Sequence, residues 1–418
     1  MSDTDDRGDF PATPLRFRLQ QLLGSLLGKR FDRVLSGISQ GQLTITWPDG
    51  SATRHGSHST EPGHDAHVIF HNFRPVRQMM MGGEVGFAES YLRGDWSADS
   101  LVDLFSLIMR NERAIADATS GSRFARAVNT VRHALNRNSE RGSRRNIAFH
   151  YDLGNEFYKL WLDEGMNYSS AVFEDEEQSL ADAQRAKLGR VSALLAPEPG
   201  ARVLEIGCGW GAMAHRLATE EGCHVSGISL SNEQLAWAGA RHSVDGTAGS
   251  TSFEHRDYRL VDGRFDHVVS IEMFEAVGER YWRTYFDKLG DLVEDGGTAV
   301  LQVITILEER FETYRASPDF IQRYIFPGGM LPSKTHLHQL ADAAGFDVER
   351  TEWFGMSYAL TLERWRERFE QVSREVLAQG FDDRFIRMWR YYLAYCEAGF
   401  RFGSTDVGLL RLVRRPSV

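Results

Sequence analysis

The sequence predicts an α/β protein with a doubly wound, mostly parallel β-sheet, preceded by a smaller α+β domain. Three observations support this fold class. After residue 198, short apolar runs alternate with amphipathic stretches of helical spacing, as they do where helices connect parallel strands. A glycine-rich turn directly follows the first of these runs, at the end of the strand where such sheets bind ligands. Before residue 117, apolar and polar residues alternate over short runs, which is typical of half-buried strands.

The individual elements follow from the same periodicities. In the smaller domain, residues 43–47 (LTITW) and 67–70 predict strands, and residues 99–109 have helical spacing. The parallel strands are predicted at residues 202–206, 225–228, 265–271 and 298–303. We expect three parts, an N-terminal α+β domain at residues 1–116, a basic linker at residues 117–149 and the larger domain at residues 150–418.

Composition excludes several classes of protein. With 418 residues, of which 42% are hydrophobic and 25% charged, the chain is neither wholly disordered nor a fibrous repeat. It has no run of 18 apolar residues, so we expect no membrane-spanning helix, and its acidic start predicts no export signal. The three cysteines, Cys208, Cys223 and Cys396, do not have the spacing of a metal site or a disulfide framework. We therefore expect a cytoplasmic protein without a metal.

Charge is distributed unevenly along the chain. The net charge is -10, yet residues 1–149 carry a balance of +3 and the remainder one of -13. Between residues 118 and 150, seven arginines accompany one acid, Glu140. Such a segment attracts an anionic membrane surface, and a solvated linker helix is the alternative. Because the remainder is acidic, we expect no nucleic-acid partner.

The segment VLEIGCGWG at residues 203–211 carries the strongest chemical signal. Glu205 lies near the end of the predicted strand, and Gly207, Gly209 and Gly211 follow it. Glycine tolerates positive φ and lets the backbone approach a ligand closely. The third glycine does not have the spacing of the dinucleotide fingerprint G-x-G-x-x-G, which disfavours NAD. A nucleoside cofactor without a pyrophosphate fits better, and S-adenosylmethionine is the common one.

The next two strands supply candidates for the nucleoside. Ser229 and Leu230 follow the second parallel strand, where many nucleoside-binding folds place an acid over the ribose, so hydroxyl groups and Gln234 must substitute. Asp257 and Tyr258 precede the strand at residues 265–271. We expect Asp257 to accept a hydrogen bond from the adenine amino group, and a loop-capping carboxylate is the alternative.

Four segments in one order carry a resemblance to a known family. They are residues 150–173 (HYDLGNEFYKLWLDEGMNYSSAVF), 203–211, 265–278 (FDHVVSIEMFEAVG) and 324–329 (YIFPGG). The sequence resembles the cyclopropane fatty acid and mycolic acid synthase family, and its front domain resembles the N-terminal domain of full-length bacterial members. The resemblance implies a class I, Rossmann-like S-adenosylmethionine-dependent methyltransferase. Such an enzyme adds a methyl group to a cis double bond of a phospholipid acyl chain, and proton loss from the resulting carbocation closes a cyclopropane ring.

The resemblance also assigns residues. Tyr168 and Ser169 match the pair that meets the methionine end of the cofactor. The positions that match residues around the nucleoside are Gly207, Gly209, Ser229, Leu230, Gln234, Asp257 and Tyr258. Glu275 matches the active-site glutamate and Tyr358 the tyrosine after WFG; their alternatives are a helix cap and a core residue. A carboxylate and an aromatic face suit a reaction that must stabilise a developing cation.

The departures from the family concern the base. Family members carry a cysteine after the Tyr-Ser pair and a histidine in a later strand, which help to hold a bicarbonate that takes the proton. Here these positions are Ser170 and Gln302, so bicarbonate is doubtful. Glu272 replaces a family glycine three residues before Glu275, and one helical turn would let the two carboxylates share a proton and raise one pKa. We expect Glu272 to replace the bicarbonate, and a solvent-facing or arginine-paired Glu272 is the alternative.

If Glu272 replaces the bicarbonate, the base stands at a different position relative to the cation and a different proton can leave. We therefore expect a methyl- or methylene-branched acyl product more than a cyclopropane. The resemblance implies unsaturated membrane phospholipid as partner, a peripheral position on the inner face of the membrane, a homodimer and, for a methylene product, a separate reductase. Two other functions stay open, a soluble small-molecule methyltransferase and a catalytically silent lipid-binding homologue.

Overall fold

Two β-sheets organise the protein, and a computed structural model describes residues 31, 35–60, 64–112, 115, 153–241 and 248–416. The strands are β1 (Gln42–Thr46), β2 (Ala52–Gly56), β3 (Ala66–Phe70), β4 (Trp96–Ala98), β5 (Arg202–Ile206), β6 (His224–Ser229), β7 (Ser250–His255), β8 (Phe265–Ile271), β9 (Val293–Ile306), β10 (Phe346–Trp353) and β11 (Thr405–Arg414). The α-helices are α1 (Arg74–Leu92), α2 (Leu101–Arg110), α3 (Asn155–Lys159), α4 (Leu180–Leu195), α5 (Ala212–Glu220), α6 (Asn232–Arg241), α7 (Trp282–Leu292), α8 (Glu308–Ala316), α9 (Lys334–Ala343), α10 (Gly355–Gln371), α11 (Ser373–Ala378) and α12 (Asp383–Phe402). Short 3-10 helices cover Tyr258–Leu260, Phe274–Val277 and Glu279–Tyr281, and a π-helix covers Ile321–Ile325.

The smaller sheet has the strand order β2-β1-β3-β4. Strands β1 and β3, both predicted, pair in parallel, while β2 and β4 pair antiparallel to them. Neither β2 nor β4 was predicted, because β2 is largely polar and β4 has only three residues. Ser100 is the N-cap of the predicted helix α2. Its side chain accepts a hydrogen bond from the backbone N–H of Asp103 and so satisfies one of the unpaired donors at the helix start.

The larger sheet has the order β10-β11-β9-β8-β5-β6-β7. Its five strands from β9 to β7 are parallel, and near the other edge β11 pairs antiparallel with both β9 and β10. This confirms the predicted doubly wound, mostly parallel sheet. The strand order reverses between β5 and β8, and ligands of such sheets bind outside the carboxyl ends of the strands at this point.

The front domain and the larger domain share one hydrophobic core. On α12, the ring of Tyr391 lies 4.7 Å from that of Phe105 in α2 and 5.7 Å from that of Tyr91 in α1, measured between centroids. A hydrogen bond of 2.6 Å from Tyr324 to Glu89 adds a polar contact between the two domains. The proposed limits of the linker remain a prediction, because residues 116–152, with the whole arginine-rich segment, lie outside the described residues.

Three expectations from composition can be compared with the described part of the chain. None of its helices is long and apolar enough to cross a bilayer. Its three cysteines are free thiols, and Cys208 and Cys223 are buried. Within these same ranges, no group of His, Cys, Asp or Glu side chains has the arrangement of a metal site.

Candidate active site

A cavity of about 1010 Å³ opens at the carboxyl ends of β5, β6, β8 and β9 and reaches the end of α2 in the front domain. Most of the sequence-predicted site residues line it, namely Tyr168, Ser169, Glu205, Gly207, Gly209, Ser229, Leu230, Gln234, Tyr258, Glu272, Glu275 and Tyr358. Four others, Ser170, Gly211, Asp257 and Gln302, lie outside this lining. The sheet therefore gathers residues from distant parts of the sequence around one space.

The glycine-rich turn presents bare backbone to this cavity. Gly207 has a φ of +82° and Gly209 one of +52°, a region that side chains disfavour. A Cβ atom on Gly207 would lie 2.9 Å from Cγ of Met273, whereas one on Gly209 would meet no protein atom within 4 Å. Gly211 serves instead as the N-cap of α5, with a φ of +86°. Open space in front of Gly209 is what close approach by a cofactor requires.

Polar groups line the side of the cavity expected to take the nucleoside. Ser229 donates a hydrogen bond of 2.9 Å to Gln234, and both side chains are buried. The hydroxyl of Tyr258 is buried without a hydrogen-bond partner in the described structure. Both carboxylate oxygens of Asp257 already accept from the Arg259 guanidinium, at 2.8 and 2.6 Å. Its contact with adenine therefore remains a prediction, and the observed ion pair is local.

The carboxylate of Glu272 receives three hydrogen bonds. Its Oε1 atom accepts from the backbone N–H of Ser170 at 2.8 Å and from Nε2 of Gln302 at 2.7 Å. Its Oε2 atom accepts from the hydroxyl of Tyr358 at 2.6 Å. The alternative of a solvent-facing or arginine-paired Glu272 is wrong, since these donors from three separate elements hold it at the cavity wall.

The backbone at Glu272 corrects the predicted relation of the two glutamates. Strand β8 ends at Ile271, and Glu272 adopts a left-handed conformation with a φ of +50°. The 3-10 helix begins only at Phe274, so the prediction that one helical turn separates Glu272 from Glu275 is wrong. A non-glycine residue in this conformation costs on the order of 1 kcal/mol or more, and such strain clusters at functional sites.

Glu275 differs from Glu272 in its partners. One of its oxygens accepts from the backbone N–H of Ile304, and the other has no hydrogen-bond partner in the described structure. Burial, and to a smaller extent the nearby charge of Glu272, raise the pKa of Glu275 to about 8. Burial also raises the pKa of Glu272, but hydrogen bonds from Tyr358, Ser170 and Gln302 oppose this rise. No described hydrogen bond joins the two carboxylates. Because Glu272 has three hydrogen-bond donors and Glu275 has one, Glu272 is better suited to carry a negative charge and Glu275 to carry a proton.

Two residues of α4 support the site and were not predicted. Lys187 donates a hydrogen bond of 2.7 Å to the hydroxyl of Ser169, and Gln184 donates one of 2.8 Å to the Ser169 carbonyl. Both side chains are buried. The sequence contained a signal that Lys187 is buried. Lys187 is four residues from Ala183 and four from Val191, so the three share the apolar face of the helix.

Aromatic side chains of α12 form the opposite wall. The ring of Phe400 stacks on that of Tyr358 with 4.4 Å between centroids, and the hydroxyls of Tyr392 and Tyr168 are 2.9 Å apart. Tyr392 and Phe400 line the cavity, whereas Trp389 is buried in the core. This helix therefore contributes to both the core and the cavity.

The chain is similar in sequence to known proteins that modify lipids. Residues 138–410 match the family described as mycolic acid cyclopropane synthetase. The tuberculostearic acid methyltransferase UfaA1 of Mycobacterium tuberculosis is 37% identical over 381 residues, which cover 89% of this chain and 88% of the relative. The cyclopropane-fatty-acyl-phospholipid synthase of Escherichia coli is 34% identical over 342 residues, which cover 81% of this chain and 84% of the relative.

Solved structures give the same result. The mycolic acid cyclopropane synthase CmaA1, complexed with SAH (S-adenosylhomocysteine) and CTAB, aligns with a TM-score of 0.61 at 30% identity and covers 65% of this chain and 98% of its own. MmaA2 from M. tuberculosis aligns with a TM-score of 0.61 at 28% identity, with the same coverage of both chains. These neighbours confirm the class I, Rossmann-like fold. The chain belongs to the mycolic acid cyclopropane synthetase family and is an S-adenosylmethionine-dependent lipid methyltransferase.

Proposed function

We propose that this enzyme methylates a cis double bond in an acyl chain of a membrane phospholipid, and that Glu272 accepts the proton that leaves. The observation that carries this proposal is the set of three donors around the Glu272 carboxylate. In the family that this chain resembles, a bicarbonate held by neighbouring side chains takes the proton. Here an acidic side chain of the protein stands beside Ser170 and Gln302, the two residues that replace the bicarbonate ligands.

The cavity fits the cofactor in three respects. Gly209 leaves open space, Ser229 and Gln234 offer polar groups suited to a ribose, and the Tyr258 hydroxyl and Oε2 of Glu205 are buried without partners in the described structure. Unpaired buried polar atoms are costly unless a ligand satisfies them. The bound cofactor supplies an electrophilic methyl group.

The protein acts on the cation that methylation leaves in the acyl chain. The Glu272 carboxylate and the stacked rings of Tyr358 and Phe400 stabilise positive charge there. A carbon–hydrogen bond beside the cationic carbon then breaks, its electron pair forms a new bond to that carbon (a double bond or the closing bond of a cyclopropane), and the proton passes to Glu272. Because burial raises the pKa of Glu272, its protonated form is favoured more than that of an exposed carboxylate.

We favour a methyl- or methylene-branched product. The hydrogen bonds from Ser170, Gln302 and Tyr358 fix the position of the Glu272 carboxylate. A base fixed in this way stands at a different position relative to the cation than a bound bicarbonate would. A hydride shift followed by proton loss from the new methyl group gives a methylene-branched chain without ring strain, and a saturated methyl branch forms only after its reduction. The similarity to a relative named a tuberculostearic acid methyltransferase supports this choice, and a methylene product would need a separate reductase for saturation.

Access to phospholipid requires contact with a membrane. We assign this contact to the arginine-rich segment at residues 123–145, on a cytoplasmic enzyme that lies on the inner face as a homodimer. Replacing the four arginines of residues 137–145 with glutamine should lower co-sedimentation with anionic vesicles, most strongly at low salt, since the Debye length is about 10 Å at 0.1 M. Four exposed arginines of the larger domain serve as a control set, namely Arg280, Arg350, Arg374 and Arg384. Equal binding of both variants at every salt concentration would contradict this role.

The product is tested with purified enzyme, S-adenosylmethionine carrying a deuterated methyl group, and vesicles of monounsaturated phospholipid. We expect deuterium in the acyl chain, and proton NMR with mass spectrometry of the released fatty acids should show a branched carbon skeleton. A cyclopropane as the sole product would refute the branched assignment. Methylation of added small molecules with no label in lipid would refute the phospholipid substrate.

The role of Glu272 is tested by Glu272→Gly, a substitution that suits the local φ of +50°. We expect at least a 100-fold loss of turnover, the usual scale for a missing general base, at unchanged affinity for S-adenosylhomocysteine. Added bicarbonate should restore part of the activity, because the donors of Ser170, Gln302 and Tyr358 remain. Glu272→Gln is the matched control, since it fills the space and bicarbonate should not restore it. A fully active Glu272→Gly enzyme in bicarbonate-free buffer would disprove the role.

Cofactor approach is tested by Gly209→Ala, with Gly296→Ala as its matched control. Both glycines have positive φ and open space around a new Cβ, but Gly296 lies near the start of β9, outside the cavity lining. Each substitution should lower the free energy of unfolding by roughly 1–2 kcal/mol. Only Gly209→Ala should weaken binding of S-adenosylhomocysteine, by tenfold or more in calorimetry. Undiminished binding by this variant would show that the cofactor does not approach the turn.

A further inference from the structure

Two buried ionisable side chains, an amine and a carboxyl group, lie beside the glycine-rich turn without forming an ion pair with each other. Lys187 is 1% exposed and Glu205 is 3% exposed, and both line the cavity. Each is close enough to influence the ionisation of the other. No ion pair within 4.0 Å joins Lys187 to Glu205. A gap therefore separates a buried ammonium from a buried carboxylate at the cavity wall.

Both groups have unused hydrogen-bonding capacity. The ammonium of Lys187 has three N–H donors, and its hydrogen bond to the Ser169 hydroxyl, at 2.7 Å, uses one of them. Oε2 of Glu205 is buried without a hydrogen-bond partner in the described structure. Burial lowers the pKa of Lys187 to about 8 and raises that of Glu205 to about 8, so it favours the neutral form of each group. A ligand that carries both a carboxylate and an ammonium would stabilise the charged forms of both. Burying such charges without partners is costly, so the arrangement favours a ligand that pairs with both.

The other carboxylates near Lys187 are already supplied with donors. Asp163 accepts hydrogen bonds of 2.8 Å from the backbone N–H groups of Gly165 and Asn167 and from the Asn167 side chain. Glu272 accepts from its own three donors. Among these carboxylates, Glu205 is the one with a buried, unpaired oxygen.

We propose that Lys187 binds the α-carboxylate at the amino-acid end of the cofactor, while Oε2 of Glu205 accepts from its α-ammonium group. An amino-acid zwitterion carries both charges on one carbon, so it can fill a gap between fixed groups of opposite sign. Lys187 contacts Ser169, which the family resemblance places at the methionine end. The inference rests on binding of S-adenosylmethionine and is independent of the proposed lipid substrate and product.

The choice of residue is consistent with this role. The chain contains five lysines among 48 basic residues, and one of them occupies this buried position. A compact ammonium with rotatable donors can reach the Ser169 hydroxyl and a ligand carboxylate together, whereas the planar guanidinium of arginine needs more room. Lys187 is thus a cofactor-binding residue contributed by α4, outside the glycine-rich motif.

The test compares two ligands by calorimetry, S-adenosylhomocysteine and its decarboxylated analogue, which keeps the nucleoside and the ammonium. Lys187→Met should weaken binding of S-adenosylhomocysteine about 30-fold, which corresponds to about 2 kcal/mol. The same variant should weaken binding of the analogue less than threefold. Lys288→Met, a lysine substitution away from the cavity lining, should leave both affinities unchanged.

Other results of these binding measurements would overturn the proposed role of Lys187. Equal losses for the two ligands, or no loss for S-adenosylhomocysteine, would overturn the inference and leave the methyltransferase assignment standing. If Lys187→Met fails to fold, the parent enzyme still decides, because it should prefer S-adenosylhomocysteine over the analogue by at least tenfold. Equal affinity of the parent for both ligands would overturn the inference. Failure of the parent to bind S-adenosylhomocysteine at all would overturn it together with the cofactor assignment.

Discussion

The active site depends on one buried interaction, the hydrogen bonding of the Glu272 carboxylate. Its three donors come from the loop before α4, from β9 and from α10. The backbone N–H of Glu272 also donates to the carbonyl of Gln302 at 2.8 Å. One side chain therefore connects three elements that meet at the carboxyl end of the sheet. A left-handed glutamate is unfavourable by itself, and these bonds offset its cost.

The ionisable groups around the Glu272 carboxylate differ in the charge that each is suited to carry. Glu272, with three donors, is suited to carry the negative charge, and Glu275, with one, is suited to carry a proton. Lys187 lies buried near Glu272 and Glu205, and its positive charge opposes the rise in the pKa values of these two carboxyl groups. A buried cluster of this kind functions only if each charge has a partner. In our account, the cofactor completes the cluster at its Glu205 end.

Much of the fold could be predicted because it depends on local patterns. The parallel strands appear as apolar runs, and the glycine-rich turn marks the carboxyl end of β5. The convergence of Ser170, Gln302 and Glu272 was anticipated only through the family resemblance, since their contacts join distant parts of the chain. The left-handed conformation of Glu272 was missed because spacing alone assumes a regular helix. Lys187 was missed because lysines are rarely buried, and the Asp257–Arg259 pair was missed because local ion pairs have no distinctive sequence pattern.

The central claim is that a protein carboxylate replaces a bound anion as the proton acceptor. The most direct measurement is the turnover of the parent enzyme in buffer freed of carbon dioxide and bicarbonate, compared with the same buffer after bicarbonate is added. If Glu272 accepts the proton, the two rates should agree within experimental error. A rate that falls on depletion and recovers with added bicarbonate would contradict the account and show that the anion still acts beside Glu272.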